Sequence, residues 1–137
     1  MIARALWFQL ETCARVSEVL EMTWDEIDFA EGVWTLPAAR SKNKEAHRVM
    51  LSTQSLDTLA RLRPMEALSQ YVFPSVRSPQ KPLRKDVALE ALRRHRGALG
   101  LPDGAASHAL RHTCITRLAE MGCPRDVRDR ISNHKPV

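Results

Sequence analysis

The 137-residue chain has three cysteines, one tyrosine and no apolar run close to the ~18 residues that a membrane span requires. Three cysteines cannot build a disulfide framework, because one is always left over; they describe a reduced, soluble, intracellular protein. Glu11 and Arg15 interrupt the first apolar run, so no secretory signal is read there. Internal repeats and low-complexity tracts are absent. The lone tyrosine lies in Tyr71-Val72-Phe73-Pro74, an extended piece in which it reads as a packing or surface residue. A hydrophobic fraction of 44% excludes disorder. At ~100–200 residues per domain the length describes one domain, with a core of its own. A net charge of +5 and a pI near 9.6 suggest an anionic partner without separating nucleic acid from a merely basic surface.

That charge is unevenly placed. Residues 1–68 hold 8 Lys/Arg against 10 Asp/Glu, whereas residues 69–137 hold 13 against 6. Seven acids and one base, Arg15, fall between Glu11 and Glu31; seven bases and two acids fall between Arg77 and Arg96. The second cluster is either a face for a polyanion, with Arg84, Lys85 and Arg93 as its contacts, or a solvated helix face.

The periodicity predicts mainly α structure with one small antiparallel β-sheet, an α+β fold. Ile2, Leu6, Leu10 and Cys13 recur at helical spacing over residues 2–14, and a short helix follows at Ser17–Met22. Thr23-Trp24-Asp25-Glu26 has the form of a capping box. Ile27–Phe29, Val33–Leu36 and His47–Leu51 are short runs rich in β-branched and aromatic residues, the last two joined by a long polar hairpin loop. Ser52 is placed to cap a helix that Pro64 ends. Further helices are expected over Leu83–Leu99 and from a Ser107 cap to Met121, with Leu110, Cys114, Leu118 and Met121 as the latter's apolar stripe. Pro124 suits a first helical position, with Val127 and Ile131 giving the last helix its core face.

Four places can carry chemistry. Arg15 stands at a helix junction three residues before Glu18, which can hold its planar fork in one direction; taken alone, it reads as a surface arginine. Ser41-Lys42-Asn43-Lys44 is either a solvated basic turn or a mobile lysine delivered to a phosphate. His108 and Arg111 are at i and i+3 in a helix's first turn, so both side chains and the free N–H groups can converge on one anion. His134 follows the last helix and means nothing alone. His112 falls at i+4 from His108, a metal-ligand spacing. However, Ala109 stands where an H-E-x-x-H helix needs Glu, and no C-x-x-C pair occurs, so neither metal nor other cofactor is expected. His112, Cys114 and Cys123 read as helix packing and capping.

Taken in order, these elements resemble the tyrosine recombinases, the phage-type integrases. Ala14-Arg15-Val16-Ser17-Glu18-Val19-Leu20 is similar to the R-x-S-E-L/V-L motif, and Met22–Asp28 to the stretch that leads into the sheet. Gly32-Val33-Trp34-Thr35-Leu36-Pro37, then Lys42 and His47–Ser52, resemble the hairpin bearing the family's lysine. His108-Ala109-Leu110-Arg111-His112-Thr113 matches the H-x-L-R-H-T box, and Ile131-Ser132-Asn133-His134 resembles L-[GN]-H. The wording of Trp34–Ser52 is most similar to prophage integrases of bacterial genomic islands. Met50 stands where the family usually has Pro, and Ser132 where it has a large aliphatic residue.

The resemblance implies the integrase catalytic-domain fold and strand exchange on a double-stranded DNA attachment site. By it, Arg15 and Arg111 clamp the scissile phosphate, Lys42 protonates the leaving 5′ oxygen, His108 assists proton transfer, His134 hydrogen-bonds the phosphate and Glu18 supports Arg15. Lys44, Arg84, Lys85 and Arg93 are expected on the DNA backbone. The family's nucleophile is a tyrosine beyond the element containing His134, and this chain stops at Val137. The expectation is therefore a single catalytic domain over residues 1–137, without its nucleophile and without the N-terminal DNA-binding domain. It would be inactive alone, cytoplasmic and monomeric, while the intact enzyme forms a tetramer on DNA. A non-catalytic DNA-binding remnant and a type IB topoisomerase-like domain are the alternatives.

Overall fold

Helix α1, Ile2–Thr12, buries Ala5, Phe8, Gln9 and Thr12 and runs through the middle of the domain. The computed structural model describes residues 1–104 and 107–135. The buried face of α1 is offset by a residue or so from the expected set, and Ile2, Leu6 and Leu10 are half-buried shoulders. The reason is that α1 is packed from several sides, by α2 (Val16–Leu20), α3 (Thr53–Leu62), α4 (Lys85–His95) and α5 (Ser107–Glu120). Cys13 ends α1 in the left-handed region at φ 57°, two residues earlier than the periodicity suggested.

The three-stranded antiparallel sheet has the order β1-β2-β3, with β1 at Ile27–Asp28, β2 at Val33–Leu36 and β3 at His47–Met50. Its register pairs Ile27 with Trp34, Trp34 with Val49 and Leu36 with His47. Trp34 and Val49 point inward, and Trp34 meets Phe8 with ring centroids 5.9 Å apart. Phe8 stands equally far from Phe73, so three aromatic rings from distant segments anchor one core. The segment around Tyr71 is extended, as expected. Tyr71 bridges Thr23, and Val72 N–H donates to Met22 C=O at 3.0 Å.

Thr23 is the N-cap residue of the short turn that follows, but its side chain makes no capping bond. It bonds Asp25 beside a 3-10 turn at Trp24–Glu26, while its backbone pairs with Tyr71. Ser52 does cap α3, its Oγ accepting from Ser55 N–H at 3.1 Å. Helix α4 starts later than Leu83, because Arg84 is extended at φ −76° and ψ 141° and Leu83 N–H pairs with Phe73 C=O in the extended segment before it. Helix α5 ends at Glu120 with Gly122 at φ 82° behind it. The cap expected from the Ser107 side chain lies outside the described residues. In α6, Arg125–Ile131, Pro124 is the N-cap and not the first helical residue.

Two expectations fail at this end of the molecule. Helix α6 buries none of its residues: Val127 and Ile131 are each more than a third exposed, and Met121 is 82% exposed. Helix α5 lies on α1 and α6 packs on α5 at the edge of the molecule, so the apolar positions of α6 have a neighbour on one side only. Nor are all three cysteines reduced. The fold brings Cys13 and Cys114 to a Cα–Cα distance of 5.8 Å and joins them in a disulfide, leaving Cys123 free. Their separation of 101 positions hid this pairing from any local reading.

Candidate functional site

Arg15 occupies the N-cap of α2 with an extended backbone, φ −73° and ψ 144°. The helical conformation is interrupted between Thr12 and Val16, by left-handed Cys13 and extended Arg15. Glu18 then fixes it twice. Its carboxylate accepts from Arg15 N–H and from Arg15 Nη1, both at 3.1 Å. Glu18 is buried, and the acid at this i+3 position satisfies a free N–H of the helix start while orienting the guanidinium.

Helix α5 contributes His108 and Arg111 from neighbouring turns of one face. Arg111 is buried to 5% exposure, and its guanidinium is bound on two sides: Nη1 donates to Cys13 C=O at 2.9 Å and Nη2 donates to Ser132 C=O. A single side chain thereby ties α5 to the end of α1 and to the end of α6. Burial, together with the nearby positive charge of Arg15, pushes the Arg111 pKa down, with Glu18 opposing. His108 is also held below the ordinary imidazole range, by burial first and then by His112, Arg111, Arg15 and Lys42. The His108 and His112 rings meet edge to face at 5.0 Å.

His134 arrives through the end of α6. Asn133 takes the left-handed conformation, φ 52°, and His134 N–H bonds back to Asp129 C=O at 2.8 Å. This is the helix-ending arrangement that Gly or Asn favours. Lys42 comes from the exposed loop between β2 and β3. Arg15, Lys42, His108, Arg111 and His134 all line one open cleft of about 430 Å³, floored in part by Ser132. Among the described residues Asp129 is the one acid on its wall.

All five side chains singled out for the phosphate thus meet at one place, though they span more than a hundred positions of the chain. The four outlying basic residues do not line it. Lys44 is exposed on the loop past Lys42, with φ 57°. Arg84 pairs with Asp86 and Arg93 with Glu90 on the exposed side of α4, where Lys85 is also solvated. Among the described residues no cluster of His, Cys, Asp and Glu is fit to hold a metal ion. The cleft has cations and imidazoles facing a hollow, which is chemistry for an anion.

Residues that sequence reasoning passed over support this cleft from behind. Arg40 grips the Glu26 carboxylate through Nε and Nη2 at 2.6–3.0 Å, and its Nη1 reaches Glu18 C=O at 3.3 Å. Trp34 Nε1 donates to the same carboxylate at 2.9 Å. Half-buried His47 on β3 shares an enclosed hollow with Glu18, Arg111 and Ile131. The only local signal for Arg40 was its position beside the Ser41-Lys42 turn.

The fold, with its set of fixed cations around one cleft, defines the class of protein to which the chain belongs. The chain belongs to the phage integrase family, whose model matches residues 2–137, and it is a tyrosine recombinase family domain. It is 38% identical over 128 residues to prophage integrase IntA of Escherichia coli K12, covering 93% of this chain and 30% of that protein. It is 32% identical over 111 residues to tyrosine recombinase XerC of Agrobacterium fabrum, covering 79% of this chain and 34% of that protein. The chain spans about a third of the length of these relatives. Among solved structures, XerH recombinase bound to its difH substrate superposes with a TM-score of 0.80 at 17% identity, over 98% of this chain and 40% of that one. A lambda integrase tetramer bound to a Holliday junction gives 0.76 at 23% identity, over 98% and 41%. These likenesses establish the catalytic-domain fold of tyrosine recombinases. No described helix is long and apolar enough to cross a membrane.

Proposed function

We propose that residues 1–137 form one catalytic domain of a site-specific integrase that grips and activates a scissile DNA phosphate in the bacterial cytoplasm. The observation that carries this reading is the convergence of Arg15, Lys42, His108, Arg111 and His134 on a single cleft. Arg15 and Arg111 face the non-bridging oxygens, where negative charge grows as the phosphorus becomes five-coordinate. Both are already oriented, by Glu18 and by two backbone carbonyls, so little reorganisation accompanies the reaction. His134 hydrogen-bonds the same phosphate.

In the cleavage step a tyrosine oxygen attacks phosphorus and the bond from phosphorus to the 5′ oxygen breaks. The product is a 3′-phosphotyrosyl ester and a free 5′ hydroxyl. His108, whose pKa is held down by burial and the neighbouring cations, accepts the tyrosine proton, while Lys42 donates a proton to the leaving oxygen. The bond energy is conserved in the ester, so rejoining is the same sequence reversed. Among the described residues no tyrosine lines the cleft, and Tyr71 lies away from it, bridged to Thr23. Without a tyrosine in the cleft, residues 1–137 by themselves bind DNA and leave it uncleaved, and they do so as a monomer. Cleavage takes place in a tetramer on DNA, an assembly comparable to the lambda integrase tetramer. The exposed bases Lys44, Arg84, Lys85 and Arg93 contact the backbone on either side.

Binding to a duplex should fall with salt at a log–log slope near −0.9 for each neutralised phosphate, and Arg111→Ala should weaken it far more than Lys135→Ala. A nicked suicide duplex should trap no covalent adduct on this chain. A flat salt response, or equal effects of the two substitutions, would refute the site assignment. An adduct lost in Tyr71→Phe would refute the role given to the cleft.

A further inference from the structure

Lys42 sits on an exposed ten-residue connection, residues 37–46, yet its flanks are bonded to the rest of the protein on both sides. On the near side the Pro37 carbonyl accepts from both Arg40 N–H and Ser41 N–H, at 3.0 and 3.1 Å. The Arg40 guanidinium is in turn held by Glu26. On the far side Asn43 Nδ2 donates to the Asn133 carbonyl at 2.7 Å and to Asn133 Oδ1 at 3.1 Å. Asn133 Nδ2 donates to Ser41 Oγ at 3.2 Å, and Ser41 is buried to 1% exposure.

The two residues that flank Lys42 thus bond to one residue, and that residue immediately precedes His134. Both polar atoms of the Asn133 amide are used. Rotating the amide by half a turn would bring donor against donor at Asn43, so a single orientation satisfies the set. The conformation adds a second reason for asparagine here. At φ 52° glycine would serve the backbone equally well, but it has no amide to reach the loop. The outer ion pair, Lys135 Nζ to Glu45 Oε1 at 2.7 Å, has both partners more than half exposed and contributes little.

We propose that Asn43 and Asn133 are positioning residues, a clasp that holds Lys42 opposite His134 in the cleft. A loop lysine otherwise samples many rotamers and backbone states, and a fixed proton donor requires most of them to be excluded. The clasp does this with neutral groups, so the field of Arg15 and Arg111 in the cleft is left unaltered. The role assigned to Lys42 rests on the phosphate reading above; the clasp itself does not.

The full chain supplies the test, with Asn43→Ala, Asn133→Gly and the pair combined. Asn133→Gly keeps a residue suited to the left-handed turn, so folding is retained, and circular dichroism melts check it. A lysine-specific endoproteinase cuts after Lys42 and Lys44. Each single substitution should raise that initial cleavage about tenfold, as expected for one to two neutral hydrogen bonds. The double variant should exceed either single by less than the product of the two effects, because both remove the side-chain bond between Asn43 and Asn133, while the bond to the Asn133 carbonyl and the bond to Ser41 are each lost in one variant only. Affinity for a short random-sequence DNA duplex is the second readout. Asn43→Ala should weaken binding in the wild-type chain and change nothing in a Lys42→Ala background. Unchanged or fully additive proteolysis would overturn the clasp. An Asn43→Ala effect on DNA that persists without Lys42 would overturn the positioning role. A chain that binds no DNA but shows clasp-dependent protection would overturn the phosphate reading alone.

Discussion

Arg111 Nη1 donates to the carbonyl of Cys13, 98 positions earlier in the chain and two residues ahead of Arg15, at 2.9 Å. Nη2 meets the Ser132 carbonyl, two residues before His134. One guanidinium therefore sets the spacing of three cleft residues while facing the cleft itself. Arg111→Ala should leave two buried carbonyls without donors and cost about 2–4 kcal/mol in urea unfolding, along with most DNA affinity. Arg111→Lys should recover part of the affinity but little of the stability, because an ammonium cannot span both carbonyls. An alanine variant as stable as wild type would contradict the bracing role.

Glu18 offers a test of orientation against bulk charge. Its carboxylate fixes Arg15, so Glu18→Ala should weaken DNA binding although it raises the net charge by one. The affinity should drop by about tenfold in a salt-matched titration, the scale of one lost charge-assisted hydrogen bond. Tighter binding would mean that Arg15 acts through charge alone.

The disulfide between Cys13 and Cys114 spans a separation of 101 residues and stands beside both arginines of the cleft. Chain-entropy reasoning assigns a crosslink of that reach about 4–5 kcal/mol. Reduction should therefore lower the urea midpoint substantially in wild type and leave Cys13→Ser unaffected. Cys123→Ser should not change the response. Thiol labelling in urea, with and without reductant, counts the free cysteines and checks the connectivity.

Stability and DNA binding should respond to pH with opposite signs. Burial is the leading cause that holds His47 and His108 below their ordinary value of 6.5. The unfolded chain then takes up protons more readily than the folded one. Stability is full above about pH 6.5 and falls as the pH drops below it. Unfolding midpoints between about pH 8 and pH 5 should show this acid limb, flattened in a variant with Gln at both positions. A bound phosphate favours the His108 imidazolium, so DNA affinity should rise over the same range, and His108→Gln should abolish that rise. Affinity that is flat or falling toward acid would place His108 away from the bound phosphate.

Much of this molecule is decided by short-range pattern. The β-branched and aromatic content of Val33–Leu36 and His47–Met50 makes strands, Ser52 caps α3 through its own hydroxyl, and Gly122 stops α5, each from interactions a few residues apart. The pairing of His108 with Arg111 on one face follows from helical periodicity alone, and so does the reach of Glu18 to Arg15. The identity of the five cleft residues was therefore legible in the order of motifs along the chain. Their meeting was not, because it depends on α5 lying across the end of α1, and no local pattern encodes that crossing. The same crossing decides the Cys13–Cys114 bond and the Arg111 bonds to two carbonyls. The clasp from Asn43 to Asn133 joins residues 90 positions apart. Local sequence determined which side chains are available and on which helical or strand face they stand. Only the tertiary structure decided which backbone carbonyls and amides hold them, since a hydrogen bond depends on position in space and not on distance along the chain.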